Sequence, residues 1–175
     1  LCYGGSLSKT LAAGLRVGWL VAPAALLAKA VMCKQFSDAH TSNLSQQIAA
    51  NYLASGCMQA GLEHARRVYA GRAHALCQGL QRELGDAVRF TAPQGGLFVW
   101  AQLTGRTGAG GGAGVDSRDA AAFARRAIEQ GVAFVPGAPF FGREPDASAF
   151  RLWFATASED QIAEGCTRLR AALNA

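Results

Sequence analysis

Apolar residues recur at helical spacing in the first half of the chain, which predicts three helices. The first begins at Pro23, because proline in the first turn of a helix loses no hydrogen bond. The second covers about residues 44–54 and the third about residues 62–84, and each stops at a glycine, Gly56 or Gly85. The third helix places its apolar side chains at near-helical spacing: Leu62, Ala65, Val68, Leu76, Leu80 and Leu84.

Short runs rich in valine, phenylalanine and tryptophan follow this helix, bounded by proline or glycine. Such runs favour β-strands, since branched and aromatic side chains fit a pleated, half-buried surface. Four strands are predicted, at residues 88–91, 97–103, 132–135 and 150–155.

Two further helices are predicted in the second half of the chain. One covers residues 116–130, begins at Asp116-Ser117 and stops at Gly131. Ser158 and Gln161 form a capping box at the start of the other, which runs to about Leu173. This mixture of strands and helices predicts a small α/β or α+β layer.

The composition narrows the class of protein. Half of the 175 residues are hydrophobic and 17% are charged, so the chain can bury a core. The net charge is +5, but the basic residues are scattered, which argues against a nucleic-acid surface. No apolar run reaches the roughly 18 residues that cross a bilayer, so no membrane association is expected. Five cysteines without a C-x-x-C pair indicate neither disulfides nor a metal site, and fit a reducing cytoplasm.

A glycine-rich stretch at residues 107–114 matches the G-x-G-x-x-A pattern of dinucleotide-binding loops in form only. Such a loop joins a strand directly to a helix. Here the predicted strand ends near Leu103 and the predicted helix begins only near Ser117, so the two are not directly joined. We expect a flexible surface insertion instead.

The segment Gly5–Trp19 holds the most informative polar residues. Ser6, Ser8 and Lys9 stand close together, and Arg16 follows seven positions after the lysine. Short hydroxyl donors and a forked guanidinium suit a phosphate dianion, and an amine suits an aldehyde. By residue type alone, the same segment is also typical of a solvated loop that carries an ordinary surface lysine.

This segment resembles the cofactor-lysine motif of fold-type I aminotransferases, which use pyridoxal 5′-phosphate (PLP). The motif reads G-S-F-S-K-x-x-x-x-G-L-R-x-G-[WY], and the chain has G-S-L-S-K-T-L-A-A-G-L-R-V-G-W, departing only at Leu7. The resemblance is to the branch that contains 2-aminoadipate and kynurenine aminotransferases and MocR-type regulators. It continues in order through four further segments, at residues 34–42, 93–100, 135–137 and 150–155.

The resemblance implies a role for each matching polar residue. Lys9 would hold PLP and move a proton at the substrate α-carbon. Ser6, Ser8 and Arg16 would bind the cofactor phosphate. Arg151 would bind the substrate α-carboxylate through its guanidinium fork.

Arg151 can also be interpreted from the strand pattern. Phe150, Leu152 and Phe154 share one face of the predicted strand, so Arg151 lies on the other face with Trp153. On that face it is either solvated or directed at an anion, and we favour the anion.

The remaining candidates carry weaker signals. Surface or hydrogen-bonded positions are expected for the histidines, which lack ligand spacing: His40, His64 and His74. Positions in the core, at a domain interface or around the pocket are expected for the tryptophans: Trp19, Trp100 and Trp153.

The resemblance implies the PLP-dependent transferase fold, which is of the α/β class. Residues 1–55 would end its large PLP-binding domain, and residues 56–175 would form its small C-terminal domain. Because the chain opens at Leu1 as a strand running into a turn, we expect it to be the C-terminal part of a longer protein. The resemblance implies that this longer protein is a homodimer. The aspartate for the pyridine nitrogen and the stacking aromatic ring would lie elsewhere, so this chain alone would neither hold PLP tightly nor turn over.

The expected function is transfer of an amino group between an α-amino acid and a 2-oxo acid. The alternative is a MocR-type transcriptional regulator, in which the same domain senses PLP or an amino compound beneath a winged-helix DNA reader. Nucleic acid is an expected partner only in that case, and sequence upstream of Leu1 would separate the two. A third interpretation is an α/β domain without a cofactor. The particular amino acid is not predicted.

Overall fold

The computed structural model describes residues 1–105 and 118–175, which form two compact units, Leu1–Arg66 and Arg67–Ala175. The units meet inside the third helix. The predicted domain boundary near residue 55 lies before this helix and stays a prediction. The mixture of helices and antiparallel strands agrees with the predicted α/β class.

The first unit contains one small sheet and the first helices. β1 (Tyr3–Ser6) pairs antiparallel with β2 (Gly18–Val21), and α1 (Ala24–Ser37) and α2 (Asn43–Ala54) follow. Pro23 is the N-cap residue of α1, so the predicted start of this helix is confirmed within one residue.

The turn after α2 corrects the predicted start of the next helix. α3 (Cys57–Leu84) begins five residues before the predicted Leu62. The Ser55 hydroxyl accepts the first α3 N–H at 3.3 Å, and Gly56 adopts a φ of 74°, so the chain turns and restarts a helix at once. The predicted ends of α2 and α3 are confirmed.

The second unit contains the rest of α3 and a four-stranded sheet. Its strands are β3 (Val88–Phe90), β4 (Phe98–Leu103), β5 (Val135–Pro136) and β6 (Ala149–Trp153). They pair antiparallel in the order β3-β4-β6-β5. Three of the four predicted strands are confirmed within two residues at each end.

β5 is shorter than predicted. The Val132 N–H donates to the Ala127 carbonyl at 2.8 Å, so this residue ends the preceding helix instead of joining the sheet. Phe134 is buried in the core, and pairing with β6 is confined to Val135 and Pro136. The residues predicted as one strand therefore have three different roles: Val132 ends a helix, Phe134 fills the core, and Val135 begins a two-residue strand.

Two helices complete the second unit, α4 (Ala120–Glu129) and α5 (Glu159–Asn174). The Asp119 carboxylate caps α4 by accepting two backbone N–H groups at 2.8 and 3.0 Å. The predicted start at Asp116-Ser117 and the predicted glycine-rich insertion lie outside the described residues. The predicted capping box of α5 is confirmed, with both of its hydrogen bonds present.

The core of the second unit lies on one face of its sheet. Large side chains from the sheet and from α3, α4 and α5 are almost fully buried there: Leu80, Val99, Phe123, Phe150, Phe154, Cys166 and Leu169. Along β6 the burial alternates as predicted, with Phe150 and Leu152 inside and Trp153 outside. The opposite face of the sheet is therefore available for chemistry.

All five cysteines are free thiols. Burial raises the pKa of the Cys166 thiol to about 11, so this thiol stays protonated at neutral pH and acts as a core residue. In the described ranges, no helix combines the length and apolarity that a bilayer span needs.

A carboxylate orders the loop that precedes β6. Asp146 accepts the backbone N–H and hydroxyl of Ser148 at 2.9 and 2.6 Å, and the Gln102 amide at 2.6 Å. The hydrogen bonds from Ser148 are the main reason why the pKa of Asp146 lies below its usual value. The loop is thereby tied to β4 through Gln102.

We expect Asp146→Asn to lower the free energy of unfolding by about 1 kcal/mol at pH 7, because hydrogen bonds to a carboxylate are lost. The folded-state pKa lies below the unfolded one, so this stabilisation is full above about pH 4 and disappears as the pH falls through the folded pKa. Urea unfolding of the complete protein at pH 7 and pH 3 measures the difference. Glu144→Gln, in the same exposed loop, is the control, and equal losses in both variants would contradict the assignment.

Candidate functional site

The predicted cofactor lysine lies on a loop that two strands close at its base. Ser6 at the end of β1 pairs with Gly18 at the start of β2. The Leu7 N–H then donates to the Val17 carbonyl at 3.0 Å. Lys9 and Arg16 are therefore held on one closed loop, which we call the lysine loop (residues 6–17).

Leu7 anchors this loop. Its side chain is 5% exposed, and it is one of the few fully buried side chains in the first unit. Its carbonyl accepts the N–H groups of three successive residues, Thr10, Leu11 and Ala12, which winds the chain into a tight turn around Lys9. Leucine at the position where the resembling motif has phenylalanine thus still supplies an apolar anchor, and Lys9 itself is exposed.

Ser6 and Ser8 form a pair of adjacent hydroxyls. The Ser6 hydroxyl donates to the Ser8 hydroxyl at 2.9 Å and accepts the Ser8 backbone N–H at 3.0 Å. Two hydroxyls and a backbone N–H at this spacing are donors that a phosphate can use in place of their mutual hydrogen bonds.

Arg16 adopts a left-handed backbone, with φ and ψ of 54° and 32°. This conformation costs a residue with a Cβ about 1 kcal/mol or more. Its guanidinium donates to the Ala13 carbonyl at 3.3 Å, and the side chain is exposed. The loop therefore carries a strained, solvent-accessible arginine next to the residue that closes its base.

Two glycines let the strands at the loop base approach closely. A Cβ at Gly18 would lie 2.9 Å from the Gly5 carbonyl oxygen, and one at Gly5 would overlap the Trp19 indole. The exposed amine, the hydroxyl pair and the arginine are the donor set that a phosphorylated aldehyde requires. The residues of this loop fit PLP.

Arg151 lies in β6 of the second unit, on the face opposite the core. It pairs with Trp100 of β4 and with Val135 of β5, so it sits near the middle of the sheet. Its Cζ lies 4.0 Å from the Phe98 ring centroid and 4.4 Å from that of Phe140. In the part of the chain that the structure describes, its Nε is buried and has no hydrogen-bond partner.

A buried guanidinium nitrogen without a partner is costly, because the charged group has lost water and gained no acceptor. An anion bound to the guanidinium would reduce this cost. The interpretation of Arg151 as an anion ligand is therefore favoured over a fully solvated face, in agreement with the strand pattern.

The other sequence candidates lie at the surface. The histidines are exposed, and the described residues contain no cluster that could hold a metal ion. The tryptophans are not core residues, since Trp19, Trp100 and Trp153 are 46%, 39% and 42% exposed. They are large side chains on open faces of their units, which corrects the expectation of core positions.

The sequence analysis assigned no role to Phe98 or Phe140. The alternation along 97–103 places Phe98 on the same face as Trp100, so the first ring could have been found by pairing this strand with β6. Phe140 belongs to a single helical turn, Ala138–Phe140, where no periodic pattern applies.

Comparison with known proteins identifies the family. The family model for aminotransferase class I and II matches residues 1–169. The chain is 42% identical to the 2-aminoadipate transaminase of Thermus thermophilus over 171 residues, which are 98% of this chain and 40% of that protein. The chain belongs to the class I and II aminotransferase family.

A solved structure shows the same fold. The α-aminoadipate aminotransferase LysN of Thermus thermophilus, crystallised with N-(5′-phosphopyridoxyl)-L-leucine, superposes with a TM-score of 0.85 at 41% identity and covers 98% of this chain and 41% of that one. This match confirms the predicted PLP-dependent transferase fold. The chain spans about two fifths of the length of these relatives.

A regulator is also similar over part of the chain. The HTH-type transcriptional regulator YdfD of Bacillus subtilis, whose function is uncharacterised, is 37% identical over 101 residues, which are 58% of this chain and 21% of that protein. The HTH-type transcriptional regulator YdeL of Bacillus subtilis is similar over 97% of the chain, but at 26% identity, against 42% for the transaminase.

We expect Gly18→Ala to lower the free energy of unfolding by about 1–3 kcal/mol, because the added Cβ must push the two strands apart. Gly14→Ala is the matched control in the same loop, since a Cβ there meets nothing within 4 Å. Urea unfolding of the complete protein compares the two variants. Equal stability of the Gly18→Ala and Gly14→Ala proteins would show that the loop base is not closely packed.

Proposed function

We propose that the protein transfers an amino group between an α-amino acid and a 2-oxo acid, with PLP as its cofactor. The observation that carries this proposal is the closed lysine loop. One closed loop carries Lys9, the paired hydroxyls of Ser6 and Ser8, and Arg16, in a chain that belongs to the class I and II aminotransferases.

Lys9 would hold the cofactor through its amine and act as the base. When bound, PLP supplies an electron sink for the electrons of the substrate Cα–H bond. Once freed from the cofactor, the Lys9 Nζ would take the proton from the substrate α-carbon and deliver it to the C4′ carbon of the cofactor. The tight turn that Leu7 anchors would hold the Lys9 backbone in place during this transfer.

Ser6, Ser8 and Arg16 would hold the phosphate. The two hydroxyls lie 2.9 Å apart, so both can donate to one phosphate group. Arg16 would add a charge-assisted hydrogen bond, the strongest of the set. The energy gained there would offset its left-handed backbone.

Arg151 would bind the substrate α-carboxylate. A carboxylate accepts two parallel hydrogen bonds from a guanidinium, and this fixes the orientation of the Cα–H bond. The buried Nε and the two aromatic rings around the guanidinium support this role.

The complete protein would supply what this chain lacks. In the first unit the strands expose Tyr3 and Val21 at 57% and 60%, so the lysine loop rests on a small sheet with little core of its own. We infer that further protein covers this sheet, that residues 1–55 and 56–175 belong to a large and a small domain, and that the active protein is a cytoplasmic homodimer. The chain alone is still expected to hold PLP weakly and to be inactive.

The alternative is a transcriptional regulator in which the same loop binds PLP as a sensor. The similarity to the regulators YdfD and YdeL supports this alternative, but both are less identical to the chain than the transaminase is. A helix-turn-helix domain upstream of Leu1 in the complete protein would favour the regulator, and its absence would favour the enzyme.

We expect Lys9→Ala to abolish the visible absorbance of lysine-bound PLP in the complete protein and to lower the transamination rate by at least about 10²-fold, because anchor and base are lost together. Lys29→Ala, an exposed lysine of α1, is the control and should keep both. Retention of the absorbance band in the Lys9→Ala protein would contradict the assignment.

We expect Arg151→Gln to lower kcat/KM for amino acids by about 10–100-fold, because a charge-assisted pair of hydrogen bonds is lost. Binding of PLP should be unchanged, since the cofactor donors lie on the lysine loop. Steady-state kinetics and PLP titration of the complete protein separate the two effects. A loss of PLP affinity with unchanged KM would place Arg151 at the cofactor instead.

A further inference from the structure

Two separate elements bring aromatic rings to the Arg151 guanidinium, which lies on a third. Phe98 is the first residue of β4, Phe140 ends the helical turn Ala138–Phe140, and Arg151 lies in β6. The two rings lie 4.0 and 4.4 Å from the guanidinium carbon, well inside the range of cation–π contacts. We call Phe98 and Phe140 the aromatic clamp.

Each ring of the aromatic clamp is braced by a tryptophan. Trp153 packs edge-on against Phe98, with centroids 4.9 Å apart, and its indole N–H donates to the Thr156 hydroxyl at 3.0 Å. Trp100 packs edge-on against Phe140, with centroids 6.0 Å apart. The exposed tryptophans of this sheet face therefore fix the clamp rings.

The backbone that carries Phe140 is pinned to β6. The Gly137 N–H donates to the Ala149 carbonyl at 2.6 Å, and a Cβ at Gly137 would lie 2.7 Å from the Ala149 Cβ. The Phe140 N–H donates to the Gly137 carbonyl at 2.9 Å. The Val135-Pro136-Gly137 segment thus sets where the second ring stands relative to Arg151.

The Arg151 guanidinium is oriented by contacts with aromatic rings and not by hydrogen bonds to the described residues. In residues 1–105 and 118–175, the buried Nε has no acceptor, whereas two ring centroids lie within 4.4 Å of the guanidinium carbon. A guanidinium confined between rings loses little further freedom when it binds a planar carboxylate, and it is partly shielded from water.

We propose that Phe98 and Phe140 are positioning residues, which set the affinity for the substrate α-carboxylate by holding the Arg151 guanidinium in its binding orientation. The proposal rests on the proposed function of Arg151. Phe140 is the better residue to test, because it is 50% exposed and its loss leaves the core intact. Phe141, its neighbour, is 38% exposed and packs on Trp100 without contacting Arg151, so it offers a matched control.

As test substrate we choose L-leucine, the amino acid part of the adduct bound in the similar LysN structure. We expect Phe140→Leu in the complete protein to raise its KM about tenfold and to leave kcat within about twofold, because carboxylate binding is weakened equally in ground and transition states. Phe140→Tyr keeps a ring and should restore KM, and Phe141→Leu should match the wild type. Reaction with 3-methylbutylamine, which is L-leucine without its carboxylate, should be unaffected by Phe140→Leu. Equal KM values for the Phe140→Leu and Phe141→Leu proteins would overturn the proposal.

A second readout needs neither cofactor nor turnover. In ¹⁵N-arginine NMR of the complete protein, assigned with Arg151→Lys, the Arg151 Nη groups should give separate signals in the wild type and in Phe141→Leu. They should give one averaged signal in Phe140→Leu. Addition of 4-methyl-2-oxopentanoate should shift the Arg151 Nε signal in the wild type. Freely rotating wild-type Nη groups would overturn the proposal.

The two readouts separate this inference from the proposed function. If the protein does not transaminate but Arg151 is held and responds to the 2-oxo acid, the clamp stands and the enzymatic function fails. If transamination occurs and Phe140→Leu changes neither KM nor the Nη signals, the function stands and the clamp fails.

Discussion

The site depends on the pairing of β1 and β2 at the base of the lysine loop. Ser6 is opposite Gly18, and the Leu7 N–H reaches the Val17 carbonyl at 3.0 Å. Without this closure, a lysine and an arginine seven positions apart would move independently. The conformational entropy lost in ordering them would then weaken cofactor binding. Glycines at both strand ends make the close approach sterically feasible, and the buried Leu7 side chain fixes the turn that carries Lys9.

The second unit meets a different constraint, which is the placement of a charge on the open face of a sheet. Its core face is filled by large apolar side chains from three helices and the strands. The opposite face carries Arg151 between two phenylalanine rings, and its Nε is buried without a hydrogen-bond partner among the residues that the structure describes. The apolar core on one face of the sheet stabilises the fold enough to tolerate this unsatisfied group on the other face. A bound anion would supply the missing hydrogen bond.

The sequence predicted the features that local patterns encode. Helix ends at Gly56, Gly85 and Gly131 follow from glycine φ values of 74°, 49° and 76°. The alternation along 150–155 separated Arg151 from Phe150, and the capping box at Ser158 was found from two residues. The functional assignment itself came from the motif and not from periodicity.

Features that depend on tertiary contacts could not be predicted in this way. The early start of α3 depends on a side-chain cap at Ser55, and the truncation of β5 depends on Val132 bonding back to α4. The ring of Phe140 reaches Arg151 only because Gly137 packs on Ala149 across the sheet. The tryptophans were expected in the core, at a domain interface or around the pocket; they are not core residues, and Trp100 and Trp153 instead pack against the rings of the aromatic clamp.

The central claim is that one particular amine holds the cofactor. The chain contains three lysines, Lys9, Lys29 and Lys34, so reductive trapping of PLP on the complete protein with borohydride, followed by peptide mass spectrometry, tests the claim directly. The account predicts a phosphopyridoxyl adduct on the peptide that contains Lys9. An adduct on Lys29, Lys34 or a lysine elsewhere in the complete protein, with Lys9 unmodified, would contradict it.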